Sequence, residues 1–487
     1  MRRRSFIRQA GGFILLSATL PSQAFSSSSG SSGNWHIEQF QDKGLAHFSY
    51  AVLVEGKIIL IDPSRNPEPY LAYAQAQQAE IIGVIETHPH ADFTSSHLEL
   101  QRSKNIKIYA SSLTAAGYGR TDFDDGAIIR LNGSITLRSI FTPGHAPDHI
   151  AVVLTENGKD LAVFSGDSLL IGDVGRPDLR ESGTDAATQR KQLAAQLFDT
   201  LHQKFGKLAN SVVLYPAHGA GSLCGKAIRD ASSSTIGEEK ANNPAFRIKT
   251  KEAFVKHILS DLPFTPQYFS YNVSSNIKGL PAFASSVAHV KIRSANFQPP
   301  ENSIVIDTRP ESSFKQSYGK GAVNLQNGAK FETWLGSVVS PETNFYLVAA
   351  DRKSLDEVIA KSAKIGYEQH IEGAFIYDLS GGQKLASYSS DKAIDESKFT
   401  IIDVRTGREF RDEPIFKSAV NIPLQDLNQQ LDKIPLDKPI LVNCASGYRS
   451  AAGSSIIKNK FPNQLVYDLG TAVSDFEKPG DNHKLNH

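Results

Sequence analysis

The run Ile81-Ile82-Gly83-Val84-Ile85-Glu86 leads directly into Thr87-His88-Pro89-His90-Ala91-Asp92. A short apolar run rich in β-branched residues reads as a buried strand, so the histidines and the aspartate stand on the loop at its end. Two histidines two apart, followed two later by an aspartate, put three metal-ligating side chains on one loop. Three more apolar runs end in the same manner. Thr142-Pro143-Gly144-His145 follows a pair of strands expected over residues 128–140. Ser165-Gly166-Asp167 closes the strand that starts at Leu161, and Pro216-Ala217-His218-Gly219 closes the one that starts at Val212. Chemistry-bearing residues at strand ends are the usual form of a site built on a rigid scaffold.

A chain of 487 residues is too long for one core. Single cores stop growing at roughly 250–300 residues, so two or three domains are expected. In the first of them, residues 49–54 and 57–62 read as a hairpin around Glu55-Gly56. A helix is expected over residues 70–79, just after Pro69. Beyond residue 262 the sequence repeats itself. Ile304-Val305-Ile306-Asp307-Thr308-Arg309 is matched by Thr400-Ile401-Ile402-Asp403-Val404-Arg405, and Gly321-Ala322-Val323-Asn324-Leu325 by Ser418-Ala419-Val420-Asn421-Ile422. Strand and helix alternate in each copy, which implies a small α/β domain with a mostly parallel sheet. Boundaries are expected near residues 263–283, which carry Pro263, Pro266 and a polar run, and near 380–390, which carry Gly381-Gly382. The expected domains are therefore 34–262, 270–380 and 385–480.

Residues 1–33 do not read as fold. Arg3-Arg4-Ser5-Phe6-Ile7-Arg8 has the twin-arginine export pattern, residues 11–20 form a short apolar stretch, and Ser22-Gln23-Ala24 offers a cleavage site. A flexible Ser/Gly linker follows over residues 26–33. Export to the periplasm by the twin-arginine route is expected, with no membrane anchor after cleavage. A net charge of +1 gives no field to attract nucleic acid or an anionic membrane. The chain has only two cysteines, Cys224 and Cys444. A disulfide between them is not expected, because Cys444 sits in a motif that needs a free thiol.

Over residues 35–262 the four strand-end sites, in their chain order, resemble the metallo-β-lactamase superfamily. Its dinuclear hydrolases usually read H-x-H-x-D-H, and here Phe93 stands in the last place. Phenylalanine cannot bind a metal, so the second metal site lacks a ligand. His88, His145 and Asp167 remain as two histidines and one carboxylate, a set that suits non-haem Fe(II) oxygen chemistry. One branch is closer still, the persulfide dioxygenases. Gly175-Arg176-Pro177-Asp178-Leu179 resembles that family's substrate-side loop, and residues 234–244 resemble its segment after the last histidine. The resemblance implies one Fe(II) per chain, held by His88, His145 and Asp167. His90, Asp92 and His218 would orient those ligands as remnants of a weakened second site. Arg176 and Lys240 would hold the carboxylates of a glutathione-like thiol, or else form surface salt bridges. His149 is read as structural or supporting, and Cys224 as a buried structural thiol.

Near the end of the chain, Pro439-Ile440-Leu441-Val442-Asn443 reads as a buried strand. It runs into Cys444-Ala445-Ser446-Gly447-Tyr448-Arg449-Ser450 and then a helix over residues 451–459. This C-x-x-G-x-R loop resembles the active loop of rhodaneses. A thiol at a helix N-terminus, among inward-facing amides, has its anion stabilised. Gly447 allows the tight turn and the close approach of substrate, and Arg449 offers a charged fork to an oxyanion such as sulfite. Similar loops serve arsenate reductases and some phosphatases, so the motif alone fixes only anion-binding cysteine chemistry. In the earlier copy Asp351-Arg352-Lys353-Ser354 occupies the loop and no cysteine is present. A rhodanese-like domain without the thiol cannot carry a sulfane sulfur.

The expected fold class is thus α/β and multi-domain: a metallo-β-lactamase αββα sandwich followed by two rhodanese-like α/β domains, the first silent and the second active. The function this implies is oxidation of a low-molecular-weight thiol persulfide by O₂ to sulfite, coupled to sulfane-sulfur transfer at Cys444 that links sulfite and thiosulfate. A thioester hydrolase of the same fold and a non-enzymatic sulfur carrier are the alternatives. Self-association of the chain is left open.

Overall fold

The computed structural model describes residues 28–29, 35–180, 184–377, 381–388 and 394–476. The export signal expected over residues 3–24 lies outside them. Of the expected linker, Ser28–Ser29 are described, as a short strand paired antiparallel with His36 and Ile37. No helix among the described residues is long and apolar enough to cross a membrane.

Two sheets make up the first half. A seven-stranded sheet takes its strands in chain order from Ser28–Ser29 to Thr121–Asp122. A six-stranded sheet runs Ser234–Thr235, Val213–Pro216, Lys159–Gly166, Ile150–Glu156, Ile135–Phe141, Ile128–Arg130. Side chains alternate faces along a strand, and that alternation explains the layering. Val52, Ile59 and Ile85 of the first sheet meet Leu137, Val152 and Phe164 of the second in one core. Their neighbours Ala51, Ile58 and Leu60 face the other way, onto Tyr70 and Ala74 of the helix Glu68–Ala76. Ala151 and Val153 likewise face Leu197 and Phe254, on the helices Ala186–Asp199 and Lys251–Leu259. The result is helix, sheet, sheet, helix.

The hairpin turns through Glu55 and Gly56, both at positive φ, as a tight two-residue connection requires. The first helix starts and ends earlier than residues 70–79. Pro69 lies in its first turn, and Gln78 at φ 50° has already left the helical region.

The two repeat copies form separate sheets of one topology. The first runs Ala322–Asn324, Ile304–Asp307, Phe345–Ala349, Ile371–Ile376. The second runs Val420–Asn421, Thr400–Asp403, Ile440–Asn443, Val466–Asp468, with Ala386–Ser387 added at the edge. All their strand pairs are parallel. Side-chain bonding repeats too. Arg309 forks onto Asp307 as Arg405 does onto Asp403. Asn324 donates to the carbonyls of Asp307 and Arg309, and Asn421 to those of Asp403 and Arg405. Since Asp307 pairs with Val348 and Asp403 with Asn443, Ala349 stands where the later copy has Cys444.

The stretch around residues 263–283, where a boundary is expected, is structured. It holds the helix Tyr268–Lys278, which buries Tyr268, Phe269, Asn272, Ser275 and Asn276. Those positions recur at helical spacing, and polar residues occupy three of them, which makes the run look solvated in sequence. One hydrophobic cluster continues from Phe93 and Cys224 through Tyr268 and Trp334 to Cys444.

Candidate metal centre and cysteine loop

The loop after the strand Glu80–Ile85 is fixed from below by Asp62. Its carboxylate accepts from the Thr87 backbone N–H at 2.7 Å and from Thr87 Oγ1 at 2.8 Å. The hydroxyl proton of Thr87 is thereby used, so its oxygen accepts from His88 Nδ1 at 3.0 Å. His88 then presents Nε2 as a free lone pair. His145 is set in the same way, with Nδ1 donating to the carbonyl of Arg176 at 2.8 Å. Oδ2 of Asp167 lies 3.8 Å from His88 Nε2 and 3.5 Å from His145 Nε2. Ligand atoms held about 2.1 Å from one metal stand roughly 3–3.5 Å apart; the His145 contact meets that range and the His88 contact lies slightly beyond it, and ligand atoms of His88, His90 and Asp167 lie within 4.8 Å of one another. His88 Nε2 and Asp167 Oδ2 are buried and have no hydrogen-bond partner. A metal among these three residues would satisfy both atoms.

Electrostatics favour the same occupant. Burial pushes His88 and His145 below the usual histidine range, which keeps them neutral, the form that binds metal. Burial would favour the protonated acid at Asp167, but His218 and His145 override it and hold the carboxyl well below the usual range. His218 is held up despite its burial, because Asp167 and Asp92 flank it at 2.7 Å each.

The other half of the cluster is different. The Phe93 ring is buried against His47 at 3.9 Å and His90 at 4.3 Å between centroids, filling the space of a second ligand. His90 Nε2 lies 3.2 Å from Asp62 Oδ1. Cys224 is buried, as expected, but its place is within this cluster. Its sulfur and ligand atoms of Asp92 and His218 lie within 4.8 Å of one another, as do those of Cys224, His145 and Asp167. Burial and the carboxylates of Asp92 and Asp167 push the thiol well up. His149 accepts from the Asp167 backbone N–H at 3.1 Å, which makes it a support for that ligand. Two glycines permit the close packing. A Cβ on Gly175 would collide with the Asp167 carbonyl and His145 Nδ1, and one on Gly166 with His149 Nε2 and Thr87 Oγ1.

Arg176 and Lys240 do not reach out to a substrate in this structure. The Arg176 side chain is buried and its donors are spent within the protein: on Asp178, on the carbonyls of Leu223 and Phe264, and on Thr265. Lys240 donates to Leu208 O at 2.8 Å and Asn210 Oδ1 at 3.1 Å. The contribution of Arg176 to the site is its carbonyl, which orients His145.

In the last unit, Cys444 follows the strand Ile440–Asn443, and Gly447 at φ 97° caps the helix Tyr448–Lys460. The Gly447 backbone N–H donates to Cys444 Sγ at 3.1 Å. Any Cβ at Gly447 would press to 3.1 Å on the backbone of Gly470 and Thr471. Arg449 is not an open fork. Both its terminal nitrogens meet Glu409 at 2.7 Å. Burial opposes ionisation of Glu409, but Arg449 outweighs it and brings the carboxyl down to about 2. The guanidinium also lies 6.0 Å above the Trp334 ring of the middle unit, and Tyr448 donates to the carbonyl of Gln326 at 2.9 Å.

Comparison with known proteins agrees with this division. Residues 42–218 match the metallo-β-lactamase superfamily and residues 386–474 match the rhodanese-like domain. The chain is 32% identical over 147 residues to the cytoplasmic hydroxyacylglutathione hydrolase of Arabidopsis thaliana, a match over 29% of this chain and only 55% of that enzyme. It is 29% identical over 227 residues to the human mitochondrial persulfide dioxygenase ETHE1, a match over 45% of this chain and 78% of that one. A metallo-β-lactamase structure from Staphylococcus aureus superposes with a TM-score of 0.65 at 27% identity, covering 71% of this chain and all of that one. The chain therefore has an N-terminal domain of the metallo-β-lactamase fold and a rhodanese-like domain at residues 386–474.

Proposed function

We propose that the chain oxidises a low-molecular-weight thiol persulfide with O₂ at a single Fe(II) and transfers sulfane sulfur at Cys444. The observation that carries this reading is Phe93, packed between His47 and His90 where a second metal would need a ligand. Bound Fe(II) would supply open positions for a sulfur ligand and O₂. His88, His145 and Asp167 would hold it, and His218 would keep Asp167 Oδ2 turned toward it. The buried Phe93 ring keeps water from that side. The overall conversion is R–S–SH + O₂ + H₂O giving R–SH + sulfite + 2 H⁺, a four-electron oxidation of the terminal sulfur by O₂. At the second site the Cys444 thiolate attacks the terminal sulfur of R–S–SH. The S–S bond breaks, R–SH leaves with the proton, and Cys444 keeps the sulfur as a persulfide. Sulfite then attacks that outer sulfur, giving thiosulfate and restoring the thiolate. Similarity to a persulfide dioxygenase supports the first half, and the rhodanese-like match supports the second.

Similarity to a hydroxyacylglutathione hydrolase favours a second reading, thioester hydrolysis. One experiment separates them. Protein loaded anaerobically with Fe(II) is given glutathione persulfide in an oxygen electrode, and in parallel a hydroxyacylglutathione. Oxygen uptake is expected, with the sulfite formed at the metal recovered as thiosulfate through Cys444. Two zinc ions per chain with thioesterase activity and no oxygen uptake would replace the dioxygenase with the hydrolase.

A further inference from the structure

We infer that the middle unit is a working part of the metal centre and that Asn276 is its positioning residue, an inference that rests on reading His88, His145 and Asp167 as metal ligands. Asn276 lies on the helix Tyr268–Lys278, outside both sheets of the first half. Its side-chain amide is buried and spans the ligand loop. Nδ2 donates to the carbonyls of His90 at 2.9 Å and Phe93 at 2.8 Å, and Oδ1 accepts from the Ser95 backbone N–H at 2.8 Å. Next to it, the Thr94 backbone N–H donates at 2.8 Å to the carbonyl of Lys364, the last residue of the helix Arg352–Lys364. Buried backbone groups need partners. Here the far part of the loop, from His90 to Ser95, finds them on the middle unit, while Thr87 at its start is held by Asp62.

The helix is itself seated on that unit. Tyr271 donates to the Gly366 carbonyl at 3.1 Å, and the Tyr268 ring fills the space beside Gly336. Charge pairs cross the same boundary. Arg65 meets Glu368 at 2.9 Å, both buried, and the partly buried Lys364 meets Asp42 at 2.8 Å. Parting the units would strand these charges, so the boundary is not built to open. A unit with Ala349 in place of a catalytic cysteine therefore has a reason to be there: it sets the carbonyls that flank Ala91 and Asp92.

Removing the Asn276 amide leaves two carbonyls and one N–H of the ligand loop without partners. The ligands then lose their preset spacing. The test uses the full chain and Co(II) alone as the probe. Affinity is measured by competition with a chelator, and coordination geometry by the Co(II) d–d absorption. Asn276→Ala should weaken Co(II) binding about 10–100-fold, as loss of groups that orient metal ligands does elsewhere. It should also alter the d–d bands, while sulfur transfer at Cys444 stays at the wild-type rate. Asn276→Asp is nearly isosteric and serves if the alanine variant folds poorly. It keeps the acceptor for Ser95 but sets oxygen against two carbonyls, so it should weaken binding as well. Tyr271→Phe removes a hydrogen bond of the same helix that does not touch the loop, and should bind Co(II) like the wild type. Wild-type affinity and spectrum in both Asn276 variants would overturn the inference. So would equal weakening by Tyr271→Phe, which would reduce Asn276 to one of many interface contacts. Failure of the wild type to bind Co(II) would instead remove the metal reading on which it rests.

Discussion

Nδ1 of His218 lies 2.7 Å from Oδ1 of Asp167. That contact leaves Oδ2 as the oxygen facing His88 and His145, and it separates residues that would bind a metal from one that aims a ligand. His88→Ala, His145→Ala and Asp167→Ala should each abolish stable metal loading. His218→Ala should keep a metal but bind it about 10–100-fold more weakly, because the carboxylate loses its orienting partner. Elemental analysis after anaerobic loading, with chelator competition for the His218 variant, checks both. Equal loss in all four would make His218 a direct ligand.

Gly175 carries no chemistry, yet it has no room for a methyl group, because the Asp167 carbonyl and the His145 ring press against it. Gly175→Ala should destabilise the protein by about 2 kcal/mol through overpacking. It should also push His145 from the Arg176 carbonyl that fixes its tautomer. A lower melting temperature together with reduced metal content is the expected result. Wild-type metal content would mean that the backbone of residues 175–176 can shift without dragging His145 along.

The sandwich and the repeated α/β units are legible in sequence because strand alternation and the matched Asp307/Asp403 and Asn324/Asn421 positions are local signals. His88, His145 and Asp167 stand out because each comes shortly after an apolar run. Asp62 follows one as well, but nothing in its spacing marks it. Its role exists only once the strand Lys57–Ile61 pairs parallel with Glu80–Ile85 and brings it beneath Thr87. Cys224 and His47 join the cluster through tertiary contact alone. The burial of Arg176 is not legible, for the opposite reason. A charged side chain reads as exposed or substrate-facing, whereas Asp178, two residues on, lets it be buried as a pair. Glu409, which occupies the Arg449 fork, lies 40 residues away in the chain, and its one local mark, the capping box with Thr406 at the helix Gly407–Asp412, carries no sign of Arg449.

The Glu409–Arg449 pair gives a pH-dependent contribution to stability. Glu409 has its folded-state carboxyl brought down to about 2, against about 4.3 in an unfolded chain. Its contribution is fully present above the unfolded value and is lost as pH falls through the folded one. The pair is partly solvent-exposed, so the contribution at pH 7 is on the order of 1 kcal/mol. Glu409→Gln should therefore melt below the wild type at pH 7, with the gap narrowing from about pH 4 and closing near pH 2. Thermal melts across that range check the sign. A gap that widens in acid would show that Glu409 is not paired as a carboxylate.

The separation of the two chemistries bears on the whole architecture. Cys444 Sγ is cradled by the Gly447 N–H and sits in the loop between the strand Ile440–Asn443 and the helix Tyr448–Lys460. No residue of that loop belongs to the His88, His145 and Asp167 set, and a serine oxygen cannot carry a sulfane sulfur as a persulfide does. Cys444→Ser should thus consume O₂ with glutathione persulfide at the wild-type rate while sulfite accumulates in place of thiosulfate. Arg449→Ala should shift the products the same way, less completely, and should also cost stability by leaving Glu409 without its partner. Asp351→Ala, in the cysteine-free copy, should change neither oxygen uptake nor products. Oxygen uptake measured beside sulfite and thiosulfate for each variant decides the matter. If Cys444→Ser, folded and iron-loaded, stops consuming O₂, the persulfide on Cys444 is the obligate feed for the metal centre. The continuous packing from Cys444 through Trp334 and Tyr268 to Cys224 would then have to be read as a route rather than a core.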